Sequence, residues 1–349
     1  MTTDLSSMLY LFLRSIDALT DDEVNQIKEV YEREGREKVE AFLRKEKSNV
    51  PFASLLLSEL SIDGEYWKQI HQTYIDRNKP ILALVDKVFD NYYKKGGKSL
   101  CVYENFGAML SSGISIGCFA SNDVDLTADR EEKDFLVANF AENGFVLDRR
   151  GNHPIDNEQI STFHNPNALD GKGWWLNVMW QTTSRAYMVN QRRFNERLSV
   201  ERKNGVCYKD TSIRMLQPNA MAYYCALHIA IEHFFSASPG MCLYCDVDRV
   251  VRNNKTDWDV IAQWSKEDKA GNRIALIMDV CNSCLAAPIP LEKFDTSSSV
   301  YKKLRAMVID GDSKQLNPQL GKMKRLQIEL LADNKPLIPA LFNRIFSCK

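Results

Sequence analysis

The chain has 349 residues, with 45 basic against 46 acidic side chains and a formal net charge of -1. That balance excludes a dedicated nucleic-acid coat or a polybasic membrane anchor, both of which need a strong positive field. No run approaches the roughly 18 consecutive apolar residues of a membrane span, and the length suits two domains or one enlarged by helical additions. Asp4 precedes the first apolar stretch, where a secretion signal carries Lys or Arg. The expected location is therefore cytoplasmic. Nine cysteines are too few for a disulfide scaffold and odd in number, so most are expected as buried thiols.

The first hundred residues have helical texture. Thr20-Asp21-Asp22-Glu23 has capping-box spacing, and Val24, Ile27, Val30 and Tyr31 follow at helical intervals. A helix is predicted over 64–77. Pro80 is predicted to open the next, with Ile81, Leu84, Val85, Val88 and Phe89 as its buried stripe and Gly96-Gly97 as its stop. The texture changes at Ser99. Leu100–Tyr103 reads as a short strand, then come small residues, Asp123–Leu126, a helix ending at Gly144, and strands at 145–147, 160–163 and 174–180. From Pro218 the pattern is helical again, over 220–235, 243–251, 257–265 and 273–286, with a Pro-containing tail to Lys349. The expected class is α+β. A small mixed sheet core at 98–215 would lie between helical regions at 1–97 and 216–349.

The most informative motif is Asp123-Val124-Asp125-Leu126. Strand side chains two apart share a face, so both carboxylates would project together while Val124 and Leu126 face the core. Two such charges repel unless a cation sits between them. Mg²⁺ (or Mn²⁺) suits carboxylate oxygens and keeps positions for phosphate, and such a pair can serve phosphoryl or nucleotidyl transfer. A solvated surface strand is the plain alternative. Upstream, Gly107 follows a strand, a place where backbone amides can approach a phosphate.

Phe106-Gly107-Ala108-Met109-Leu110 with Asp123-Val124-Asp125-Leu126 resembles the glycine and D-x-D elements of the polymerase-beta-like nucleotidyltransferase superfamily. The closest resemblance is to its bacterial "uncharacterised nucleotidyltransferase" family. Gln217–His228, with its Leu227-His228 pair, Tyr244–Val251 with an internal Asp, Thr256–Ile261 and Ala286–Pro290 follow in the family's order. The resemblance covers roughly residues 50 to 290. It implies transfer of a nucleoside monophosphate from an NTP to an acceptor hydroxyl or phosphate, with Asp123 and Asp125 as metal ligands. Gly107, Ala108 and Ser121 would lie near the nucleotide, and His228 would face the cleft. The acceptor would be a small molecule, peptide or protein rather than a long nucleic acid, with no membrane partner. Two departures stand out. Phe106 replaces the family's Lys. Asn177-Val178-Met179-Trp180 replaces its Asp-x-His-Trp, so a neutral Asn177 stands where a third carboxylate is expected. They imply an alternative: a binding or scaffold protein with impaired chemistry on the same fold. Asp156 and Asp170 are nearby carboxylates that could substitute.

Other features read as structural. Cys242-x-x-Cys245 and Cys281-x-x-Cys284 could bind zinc, but each pair shares one predicted helix face, where buried packing is the simpler reading. His228, Glu232 and His233 share a helix without a zinc-protease order. Arg185, Arg192, Arg193, Arg197, Arg202, Lys203 and Lys209 could meet a triphosphate or a nucleic-acid backbone, or form a solvated helix face. Trp174, Trp175, Trp180 and Trp264 read as core or cleft wall.

Overall fold

The computed structural model describes residues 5–45, 49–150, 153–181, 191–233, 235, 241–309 and 328. Helices α1 (Leu5–Leu13), α2 (Asp21–Glu34), α3 (Arg36–Leu43) and α4 (Asn49–Glu59) pack with the start of α5 (Gly64–Lys94). Their shared core holds Phe12, Ile27, Val39, Leu57 and Trp67. The capping box forms as predicted. Thr20 accepts from the Glu23 amide, and the Glu23 carboxylate accepts from the Thr20 amide.

The two helices expected around Pro80 are one. α5 runs for 31 residues straight through Pro80. Its buried stripe continues across that position, from Trp67 and His71 to Asn78, Ile81, Val85 and Phe89. Pro80 lies on the exposed side, where water can satisfy the carbonyl that its missing N–H leaves free. Packing of the stripe thus overrides the local breaker. The stop is as read: Gly96 has φ +96° and Gly97 donates to the Tyr92 carbonyl.

The rest of the chain alternates strands and helices. In order come β1 (Cys101–Val102), α6 (Glu104–Ser112), β2 (Asp123–Thr127), α7 (Lys133–Glu142), β3 (Val146–Leu147), β4 (Arg149–Arg150), β5 (His153–Pro154), β6 (Ile160–Asn165), α8 (Ala168–Gly171), β7 (Trp174–Met179), α9 (Gln191–Lys203), β8 (Val206–Cys207) and β9 (Arg214–Met215). Then follow α10 (Pro218–Ile231), α11 (Cys242–Asn253), α12 (Trp258–Glu267), α13 (Gly271–Leu285) and α14 (Ser299–Val308). Among the described residues the main sheet has seven strands in the order β3-β6-β7-β2-β1-β9-β8, and β4 and β5 form a small ribbon. β2 runs parallel to β7 and β1 parallel to β9; the other pairs are antiparallel. The fold is α+β, with helices before and after a mixed sheet.

The alternation expected of β2 is present. Val124 and Leu126 are buried among Ile81, Phe89, Leu176 and Val178, so one sheet face packs on α5. Paired strand residues share a face. On the opposite face one row therefore reads Asp123, Trp175, His164, Val146, and the next reads Asp125, Asn177, Thr162. Farther along this face, Ile160, Met179 and Cys101 enter the large core built on α10, α11 and α13. The polar rows begin where that core stops.

No helix among the described residues is long and apolar enough to cross a membrane. The cysteines of the two C-x-x-C pairs lie on α11 and α13. Cys245 and Cys281 are fully buried, donate to the Leu13 and Tyr244 carbonyls, and are pushed well above the usual thiol range by burial. Such thiols hold their protons and pack as small apolar groups.

Candidate active site

The pleat of β2 puts Asp123 and Asp125 on the same face, and the parallel register sets Asn177 directly beside Asp125. The Asn177 amide nitrogen donates to Asp123 Oδ2 at 2.7 Å and to Asp125 Oδ1 at 3.1 Å. One neutral amide thus sits between two carboxylates. Its own oxygen accepts from Thr162 Oγ1 at 3.0 Å, which holds the amide group in line between Thr162 and the carboxylates. Ser121 Oγ donates to Asp123 Oδ1. Asp123, Asn177, Thr162 and Trp175 share a cavity of about 470 Å³ with Ala120, Ser121 and Asn122. The Asp125 carboxyl is raised well above the usual range, first by burial, then by the charges of Asp123 and Glu104. The Asn177 hydrogen bond and His228 oppose that rise without cancelling it.

Behind Asp125 lies a set of buried groups, of which His228 and His233 stand out in the sequence as ring-bearing residues of one helical segment. Glu104 begins α6 with φ +52° and is 5% exposed. His228 Nδ1 on α10 lies 2.8 Å from Glu104 Oε1, an ion-pair distance at an angle outside hydrogen-bond geometry. Its other ring nitrogen meets His233 Nε2 at 2.8 Å. Burial alone would lower the His228 pKa, but the charge of Glu104, joined by those of Asp125 and Glu232, outweighs it and the net shift is upward. His233 moves down to about 4, through burial and then the charge of His228. Asp246 on α11 is also buried, and its carboxyl is raised by burial and by Glu104. Nothing local in the sequence marks Glu104, which meets His228 across 124 positions.

Other expected site residues fall elsewhere. Gly107 and Ala108 are buried inside α6, not in a loop. A Cβ on Gly107 would meet Met221 Cε at 2.8 Å and the Val102 carbonyl carbon at 3.1 Å, so this glycine lets the helix pack closely on β1 and α10. Neither residue lines the cavity. Asp156 accepts from Lys133 at 2.7 Å and from Ser161 at 2.5 Å, tied away from the carboxylate pair. The side chain of Asp170 and all of Arg185 lie outside the described residues. The basic stretch on α9 is largely paired: Arg192 with Glu196, Arg197 with Glu267 and Asp268, and Arg202 with Asp129.

Among the described residues no three His, Cys, Asp or Glu side chains form a ready metal cage. The donor set still fits Mg²⁺, which uses one or two carboxylates and takes its remaining ligands from water and phosphates. Asn177 fits too. Rotating its amide by a half-turn would aim Oδ1 at the carboxylates' cation and leave the nitrogen facing Thr162 Oγ1, which can accept as well as donate.

Residues 115–286 match the family model described as "Uncharacterised nucleotidyltransferase". The match holds β2, β7, α10 and α11, hence Asp123, Asp125, Asn177, His228 and Asp246; it starts downstream of Gly107. No curated protein and no solved structure matches the chain. The match over residues 115–286 supports a nucleotidyltransferase family for this part of the chain, and with it a role in nucleotidyl transfer.

Proposed function

We propose that the protein is a divergent nucleotidyltransferase that moves a nucleoside monophosphate from an NTP to an acceptor hydroxyl or phosphate, using Mg²⁺ or Mn²⁺. The observation that carries this reading is the convergence of Asp123, Asp125 and Asn177 on one polar sheet face, inside the family-matched segment. Asp123 and Asp125 would hold the metal, and Asn177, set by Thr162, would orient on it. Bound there, the ion would neutralise the triphosphate and favour attack at the α-phosphorus. The chain's own contribution is positioning. The β2–β7 register sets the carboxylates, the Ser121 hydroxyl holds Asp123, and the segment around Ala120–Asn122 walls the cavity.

Calorimetry with ATP, GTP, CTP and UTP, with and without Mg²⁺, tests the reading. Metal-dependent binding is expected with the wild type. It should weaken about 10²- to 10³-fold in Asp123→Asn and in Asp125→Asn, the scale of losing several kcal/mol of charge stabilisation. A wild-type protein that binds none of the four in Mg²⁺ overturns it. The neutral Asn177 favours one second reading, a binding or scaffold protein. Wild-type protein that binds nucleotide with metal, yet releases no pyrophosphate with any hydroxyl- or phosphate-bearing acceptor, supports that reading instead.

A further inference from the structure

We infer that Trp175 forms a stacking wall for the nucleobase of the bound nucleotide. This rests on the nucleotide-binding reading above and names a subsite within it.

Two neighbouring tryptophans on β7 face opposite ways. Trp174 is 3% exposed and belongs to the core against α5, while Trp175 remains partly exposed and lines the cavity that holds Asp123. Trp175 is held on two sides. The His164 ring, its cross-strand partner, stacks on the indole at 4.3 Å between centroids and 14° between planes. The indole Nε1 donates to Asp148 Oδ2 at 3.2 Å. His164 is itself confined, since a Cβ on Gly173 (φ +77°) would lie 2.8 Å from its Nε2. The ring is thus locked before any ligand arrives, and ordering it costs little on binding.

His164 does not line the cavity and Trp175 does. The indole therefore meets the cavity with surface that His164 leaves uncovered. That surface shares the cavity with Thr162, Asn177 and Asp123. A flat heteroaromatic ring laid there would sit beside the carboxylates, at the reach of a nucleoside whose phosphates meet a metal at Asp123 and Asp125. The cavity volume, about 470 Å³, is within the range of small-molecule sites. Among the described residues no Lys or Arg lines it, so on these residues phosphate affinity would come through the metal, while base affinity would come from the indole. Every base offers a π-face, so this wall would recognise the presence of a base with little regard to which base.

The test compares ATP and CTP with inorganic triphosphate, by calorimetry on the full chain in Mg²⁺. Wild-type protein is expected to bind both nucleotides about 5- to 100-fold more tightly than inorganic triphosphate, the range of one base–aromatic stack. Trp175→Ala should erase that difference while leaving inorganic triphosphate affinity in place. Trp175→Phe, which keeps a ring and guards against loss of fold, should retain most of it. Nucleotide affinity unchanged in Trp175→Ala overturns the inference alone, and so does an equal loss for nucleotides and inorganic triphosphate. If wild-type protein binds neither nucleotide nor inorganic triphosphate, the nucleotidyltransferase reading fails and the stacking wall falls with it.

Discussion

The two ends of β2 handle negative charge in opposite ways. Near its last residue, Thr127, and at Asp129 beyond it, the acid is met by a resident cation. Arg202 is 3% exposed and donates to Thr127 Oγ1 and Asp129 Oδ1, both at 2.8 Å, and to the Met179 and Trp180 carbonyls. At its first residues, among the described residues, Asp123 and Asp125 receive neutral donors alone, from Ser121 and Asn177. A milder contrast recurs on α11. Asp248 is paired with Arg249 and Arg252, whereas the Asp246 carboxyl is raised by burial and then by the charge of Glu104, a rise that Arg249 and His228 oppose without cancelling. A buried carboxylate with its own arginine is a structural part. A carboxylate pair held only by neutral donors carries an electrostatic cost that a cation from outside can relieve.

Three substitutions can break or sharpen that contrast. The largest effect is expected at the arginine end. Arg202→Met should destabilise the protein by about 3 kcal/mol, the lower end for breaking a buried pair, because Lys203 remains 3.8 Å from Asp129. Urea denaturation measures it, and Mg²⁺-dependent nucleotide affinity should not follow. A loss below ~1 kcal/mol would mean that the arginine is not what secures this end.

An intermediate effect is expected from Asn177→Asp. It removes the amide donor and adds a third charge, so in chelator the protein should lose roughly 1–3 kcal/mol. Mg²⁺ should restore more stability to this variant than to the wild type. Equal thermal shifts with Mg²⁺ in both proteins would argue against a cation at this spot.

The smallest effect is a gain. The Asp125 carboxyl is raised in the folded state, so its contribution is most favourable below the unfolded value of 3.8 and is lost as pH rises through the folded value. Asp125→Asn imitates the protonated form. It should raise the melting temperature at pH 8 by roughly 1–2 °C, the effect of about 1 kcal/mol in a chain of this size. The gain should shrink on acidification and vanish below pH 4. A gain that persists at pH 3.5 would point to packing rather than charge.

Much of the site was legible because strand geometry is local. A period of two fixes that Asp123 and Asp125 share a face, whatever the rest of the chain does. Asn177 was reached only through the family pattern, and its position beside Asp125 depends on a parallel register that no short window contains. Nothing in the sequence marks Glu104, and Asp246 is seen only within the Asp-bearing segment of the family pattern: their meeting with His228 requires α6, α10 and α11 to pack together. The packing of Gly107 is hidden in the sequence for a related reason. A glycine after a strand suits a phosphate loop and a close helix contact equally well, and the Met221 side chain that decides the matter comes from α10. Pro80 shows the same limit in the fold, where tertiary burial on both sides carried α5 through a local stop signal.

The length of α5 has a mechanical consequence. Its 31 residues make a rod of about 46 Å at 1.5 Å per residue. One end is rooted in the core of the N-terminal helices through Trp67. Midway, the rod grips the segment that leads into β2. His71 meets Ser115 at 2.6 Å, Asn78 donates to the Ile116 and Phe119 carbonyls, and Arg77 donates to the Ser121 carbonyl and to Asn122. The N-terminal bundle and the approach to Asp123 therefore hang from one lever. The placement of the bundle and the placement of the threshold to the carboxylate pair are set by the same helix.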